Sequence, residues 1–95
     1  MEFEWDEVKR DANLAKHGID FVRAILMWAC PVIDPIAERV IEGETRRLAL
    51  GVIGDDDFVI AIVYTMRGEV RRIISARRGR RDERAYYQDQ HGGGR

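Results

Sequence analysis

The sequence predicts one α+β domain: two N-terminal helices, a mostly antiparallel sheet of three or four strands, and a C-terminal helix. Three observations carry this reading. Apolar residues recur at helical spacing in the N-terminal part. Extended apolar runs separated by short glycine-containing turns then follow, between Arg46 and Ala76. A chain of 95 residues is long enough for one hydrophobic core and too short for two.

Each element has its own signal. Trp5, Val8, Ala12 and Ala15 mark an amphipathic helix from Trp5 to His17, with Lys9, Asn13, Lys16 and His17 along one flank of the apolar stripe. Gly18 supplies its stop. Asp20 can cap a second helix, "FVRAILMWA", which Pro31 ends and whose apolar circumference predicts burial. "PVIDPIAERVIEGET" is broken by two prolines and a glycine, and reads as a short strand plus an irregular loop. Strands are expected over 46–53, 58–65 and 69–76, joined at "GDDD" and "MRG" by hairpin-like connections. The second of these, "FVIAIVYT", is apolar on both faces and so should lie centrally. A last helix, about Arg80 to Tyr87, carries arginines and the Tyr86–Tyr87 pair. The expected domain is 1–88, with 89–95 a disordered tail. One core is expected from Trp5, Val8, Ala12, Phe21, Ile25, Trp28, Val59, Ala61 and Val63.

Composition narrows the function classes. The longest apolar stretches, "AILMWAC" and "FVIAIVY", fall far short of the roughly 20 residues that span a bilayer. The acidic opening "MEFEWDEVKR" does not read as a signal peptide. A single cysteine, Cys30, excludes an internal disulfide and fits a reducing cytoplasm. It closes an apolar run, as a small buried side chain does.

Charge is unevenly distributed. The chain has a formal net charge of -1, yet Arg67 to Arg84 holds eight arginines against three carboxylates, a local balance of +5. Residues 1–66 carry seven lysines and arginines against thirteen carboxylates. Such polarity fits a polyanionic partner, or pairing of the two halves with each other.

The carboxylates Asp55–Asp57 could hold a hard cation, but no further ligands follow at calcium-loop spacing, and hairpin turns are commonly acidic. Zinc-ligand spacing, a phosphate-cradling glycine loop and a nucleotide fingerprint are all missing from the sequence, and Ser75 has no triad around it. No metal and no cofactor is expected.

The arginines remain. Arg71 and Arg72 precede Ile73 and Ile74 in one strand, so alternation sends them to opposite faces. Guanidinium groups offer planar paired donors for phosphate, and tyrosines offer a stacking surface for unpaired bases. Arg, Lys, His and Tyr together can also cleave RNA without a metal, by proton transfer and charge stabilisation. Each has a structural reading as well. His17 can cap a helix end, Lys9 and Lys16 can line a solvated helix edge, and Arg80, Arg81 and Arg84 can pair with acidic neighbours on an exposed helix.

The residues resemble the BrnT family of toxins. Trp5, Asp6, Lys9, Asn13, Lys16, His17, Gly18 and Phe21 fit its Trp-Asp-x-x-Lys-x-x-x-Asn-x-x-Lys-His-Gly-x-x-Phe opening. "GETRRLALG" resembles its Gly-Glu-x-Arg strand, with Arg46 and Gly51 in place. "VYTMRGEVRRIISARRGRRDERAYY" resembles its last block, through Tyr64, Arg67, Arg72, Ser75, Ala76, Arg77, Arg81, Glu83 and Tyr86 or Tyr87. The resemblance implies a RelE-like fold and a metal-independent ribonuclease toxin of a type II toxin–antitoxin pair. It also implies a BrnA-like antitoxin, a two-plus-two heterotetramer, and operator DNA bound only through the antitoxin.

On this reading Arg67, Arg72 and Arg77 are the phosphate and transition-state cations. Lys16 and His17 move or position protons, and Tyr86 stacks on a base or handles a proton. Lys9, Arg71, Arg78 and Arg81 bind RNA. The alternative is a non-catalytic module that binds nucleic acid or protein through the same basic face.

Overall fold

In the computed structural model, which describes residues 1–54 and 58–91, the N-terminal elements begin and end at residues chemically suited to stop them. The Asp6 carboxylate accepts from the backbone N–H groups of Val8 and Lys9 and starts helix α1 (Glu7–His17). Gly18 closes it at φ 73°, a left-handed conformation that costs glycine little. Asp20 caps α2 (Phe21–Ala24), a single turn that tightens into a 3₁₀ helix over Ile25–Ala29.

Before α1 lies a strand, β1 (Glu2–Trp5); after the 3₁₀ helix come β2 (Val32–Ile41), β3 (Glu44–Gly51), β4 (Ile60–Arg67) and β5 (Val70–Arg78). Helix α3 (Arg81–His91) follows. The strands form one sheet in the order β1-β5-β4-β3-β2, with β1 parallel to β5 and the other pairs antiparallel. Among the described residues no helix is long and apolar enough to cross a membrane.

The α+β class and the C-terminal helix are as expected, but the sheet is five-stranded and mixed. The extra strand is β1, whose alternation in "EFEW" sends Phe3 and Trp5 onto the core. The segment expected to be strand plus loop is one ten-residue strand, β2. It joins β3 through the two-residue turn Glu42–Gly43, where both residues have positive φ. The second helix is α-helical for only its first turn. Helix α3 continues through His91, past the expected boundary at 88; the acidic triplet 55–57 and residues 92–95 lie outside the described residues.

The sheet has two unlike faces. On one, α2 and the 3₁₀ helix bury Phe21, Ala24 and Met27 against Ile62, Tyr64, Ile73 and Ala76. On the other, Tyr87 of α3 covers Leu50, Val59 and Ala61, and the described residues leave much of the rest of that face open. Val59 and Ala61 therefore belong to a second core, not to the single one expected.

The apolar stripe read on α1 does not face the sheet. Val8 is 76 % exposed, while the buried residue of α1 is Asn13. Its amide donates to the carbonyls of Ile19 and Ala76, and its oxygen accepts from the Ala76 N–H. The backbone explains this choice: β1 pairs with β5 only as far as Ile73, so Asn13 completes the β5 edge where no strand is left to do so.

Candidate functional site

Strand β5 contains a bulge. Val63 pairs with Ser75 and Tyr64 with Ile73, which leaves Ile74 as the extra residue. Before the bulge, Arg71 and Ile73 point to the helix-covered face; beyond it, Ala76 and Arg78 do. The inversion places Arg72, Ile74, Ser75 and Arg77 together on the uncovered face, although simple alternation would separate Arg72 from Arg77.

Two depressions meet on that face, sharing Arg46 and Ile74. The larger, of about 430 Å³, holds Arg39, Arg46, Arg47, Arg77 and Arg80 around Val63 and Ser75. The smaller, of about 220 Å³, is lined by Lys9, Glu44, Arg46, Thr65, Arg67 and Arg72. Lys9 and Lys16 of α1 flank Ile74 on its other side. The result is a groove of cations crossing the sheet from α1 to the β2–β3 hairpin. Arg39 and Arg46 oppose each other in register, a like-charge arrangement that a bound anion would relieve.

Many of these cations already have carboxylate neighbours. Arg72 meets Glu4 of β1 at 2.9 Å, Arg47 meets Glu38 at 3.0 Å, and Glu44 lies between Arg46 at 3.1 Å and Arg67 at 3.6 Å. Acidic residues of the N-terminal part thus reach the arginine strip. The two halves of the charge asymmetry do pair, and a groove lined by cations still remains beside these pairs.

Arg77 is held most firmly. Its guanidinium makes a two-pronged pair with Glu83, at 2.8 and 3.0 Å, and Glu83 also accepts from the Arg80 N–H at the start of α3. The Arg77 hydrogen bonds hold the Glu83 carboxyl below the usual glutamate range, and Glu83 pushes the Arg77 guanidinium up. This pair docks α3 on the sheet, so Arg77 reaches the groove with its charge largely balanced.

The remaining expected site residues lie elsewhere. Arg71 is on the covered face, between the rings of Trp28 and Tyr64 at 5.3 Å from each, and paired with Asp34 at 3.2 Å. Asp34 also accepts from Trp28 Nε1 and from the Tyr64 hydroxyl. Burial, and then that hydrogen bond, push the Tyr64 phenol up. Arg78 lies over the Phe58 ring at 4.1 Å, on the covered side. His17 is half-buried at the end of α1 and is not among the groove-lining residues; Tyr86 and Arg81 are exposed on α3 and are not among them either. Tyr87 is buried, and its hydroxyl donates to the Pro31 carbonyl at 2.7 Å.

Lys9, Lys16, Arg67, Arg72 and Arg77 are thus brought together. Sequence reasoning passed over Glu44, Arg46 and Arg80 as site residues. The available signal was the spacing of Glu44 and Arg46, two apart at the start of a strand and hence on one face.

A family model described as the ribonuclease toxin BrnT of type II toxin–antitoxin systems matches residues 5–83. No curated protein gives a significant match.

Proposed function

Because the chain belongs to the BrnT family of type II toxin–antitoxin ribonuclease toxins, we propose that the cationic groove of the uncovered sheet face is where it cleaves RNA. The observation that carries this is the convergence of Lys9, Arg46, Arg67 and Arg72 on one depression from a helix and three strands. The family implies an RNA substrate and a protein antitoxin. Arg46, Arg67 and Arg72 would bind the scissile phosphate and its neighbours, and Lys16 would extend the cationic surface along α1. Arg77 would act mainly by holding α3 in place. Arg71 and Arg78, on the other face, are assigned structural work, and neither His17 nor Tyr86 is assigned the reacting atoms.

The chemistry needs compensation for charge growing on the phosphorane. Fixed guanidinium and ammonium groups on rigid strands supply it without reorganising. We read the enzyme as metal-independent for this reason, the fold as RelE-like, and the cytoplasm as its place of action. A BrnA-like antitoxin would cover the groove in a two-plus-two assembly and would carry the operator-binding part. RNA and antitoxin would then compete for the same arginines. The test is cleavage of an oligoribonucleotide by the purified chain in EDTA, with and without ribosomes. Cleavage that persists in EDTA and stops when the antitoxin is added is the expected result. Tight RNA binding with no cleavage in either condition would instead make the groove a binding module.

A further inference from the structure

The smaller depression holds one group that stands apart chemically. Lys9, Arg46, Arg67 and Arg72 are all proton-bearing cations, and the Thr65 hydroxyl is already donated to the Thr45 carbonyl at 2.8 Å. Glu44 is the one carboxylate among the residues lining it. It is the first residue of β3, immediately after the Glu42–Gly43 turn, and its side chain is 32 % exposed. One carboxylate oxygen accepts from Arg46 Nε at 3.1 Å; the other faces Arg67 at 3.6 Å, beyond hydrogen-bond length, and keeps a lone pair available. A carboxylate within a ring of phosphate-binding cations is the pairing that RNA transesterification requires: a proton acceptor beside the charge that receives the phosphate.

We infer that Glu44 is the general base of the reaction. The inference rests on the groove being the cleavage site. Glu44 takes the proton of the ribose 2′-hydroxyl, and the 2′-oxygen forms a bond to the adjacent phosphorus. The P–O5′ bond breaks, and its electron pair leaves with the 5′-oxygen, which takes a proton from the Lys9 ammonium. The products are a 2′,3′-cyclic phosphate and a 5′-hydroxyl. Proton exchange with water then restores Glu44 and Lys9.

Arg46 on the same strand, Arg67 on β4, Arg72 on β5 and Lys9 on α1 face this depression with Glu44, and Glu4 holds Arg72 from β1. The four cations balance the Glu44 charge, and the Arg46 hydrogen bond orients its carboxylate. They also explain why a carboxylate can stand here without repelling RNA.

The experiment compares the whole chain with Glu44→Gln, Glu44→Asp and Arg72→Ala, using an oligoribonucleotide and its 2′-deoxy analogue in EDTA, with ribosomes added. Rate, RNA affinity and pH profile are measured. In the wild type the rate should rise with pH along an acidic limb, as a reaction that needs a general base does, with cyclic phosphate ends and an inert 2′-deoxy analogue. Glu44→Gln should lose about 10²–10⁴ in the cleavage step and lose that pH limb. Its RNA affinity should stay unchanged or tighten, since a negative charge is removed. Glu44→Asp should keep the limb at a rate reduced at least about tenfold, since a base must sit within hydrogen-bond reach of its proton. It also serves as the readout if the glutamine variant fails to fold. If Glu44→Gln keeps wild-type rate and pH limb while Arg72→Ala fails, Glu44 is not the base and the groove reading stands. If the wild type leaves no cyclic phosphate, or Arg72→Ala cleaves normally, the groove reading falls and the inference with it.

Discussion

Arg71 and Arg72 are adjacent in the chain and opposite in the molecule. Arg71 lies under the helices, between Trp28 and Tyr64, with Asp34 as its counter-ion. Arg72 lies in the groove beside Lys9, Arg46 and Arg67, with Glu4 at its side. Both are paired guanidinium groups on one strand, but their surroundings differ. A charge enclosed by aromatic rings exchanges little with solvent and ties strands to helices; a charge on a concave open face can pass from a carboxylate to a phosphate. Arginine content by itself therefore says little about function. The covering of each face decides it.

The largest effect that would break this contrast lies on the covered face. Asp34→Ala leaves the Arg71 charge without its partner and takes an acceptor from Trp28 and Tyr64, so it should destabilise the fold by about 3–5 kcal/mol. Urea unfolding measures this; a midpoint equal to wild type would show that the aromatic cage alone holds Arg71.

On the open face the expected loss is one of rate. Arg72→Ala should lower RNA cleavage about 10²–10³-fold with an unchanged circular dichroism spectrum, because Arg72 faces a groove and not the core. If Arg72→Ala unfolds the protein while Arg71→Ala spares fold and reduces cleavage, the assignment of the two faces is reversed.

The smallest effect sharpens the boundary between them. Glu83→Gln weakens the Arg77 pair but keeps an oxygen for the Arg80 N–H, and should cost about 1–3 kcal/mol at neutral pH. The folded chain holds the Glu83 carboxyl below the ordinary value of about 4.5. Its stabilisation is present above that value and drains away as pH falls through the lower folded value, because the unfolded chain takes up the proton first. Unfolding measured from pH 7 down to about 3 should therefore show a loss of stability in the wild type that is smaller in Glu83→Gln. Equal slopes in both proteins would place the acid sensitivity elsewhere.

Much of the local structure was legible in the residues. Asp6, Gly18 and Asp20 act as caps and stops because they act on backbone a few residues away, and short range suffices for that. The doubly apolar run "FVIAIVYT" foretold a central strand, and β4 occupies the middle of the sheet. The sequence likewise separated Arg71 from Arg72, since alternation is local geometry.

Three things were decided by tertiary structure. Asn13, and not the apolar stripe of α1, faces the sheet, because the unpaired edge of β5 at Ala76 needs hydrogen-bond partners that only a polar side chain can offer. The bulge at Ile74 brings Arg72 and Arg77 to one face, and no residue in "RRIISARR" announces it, since a bulge is a mismatch between two strands and belongs to neither alone. Glu44 joins Lys9 and Arg72, residues far from it in sequence, only once β3, β4, β5 and α1 are assembled. Caps and alternation are properties of a segment, which the sequence carries; registers, covered faces and the company a side chain keeps are set by contacts between distant segments, which exist only in the fold.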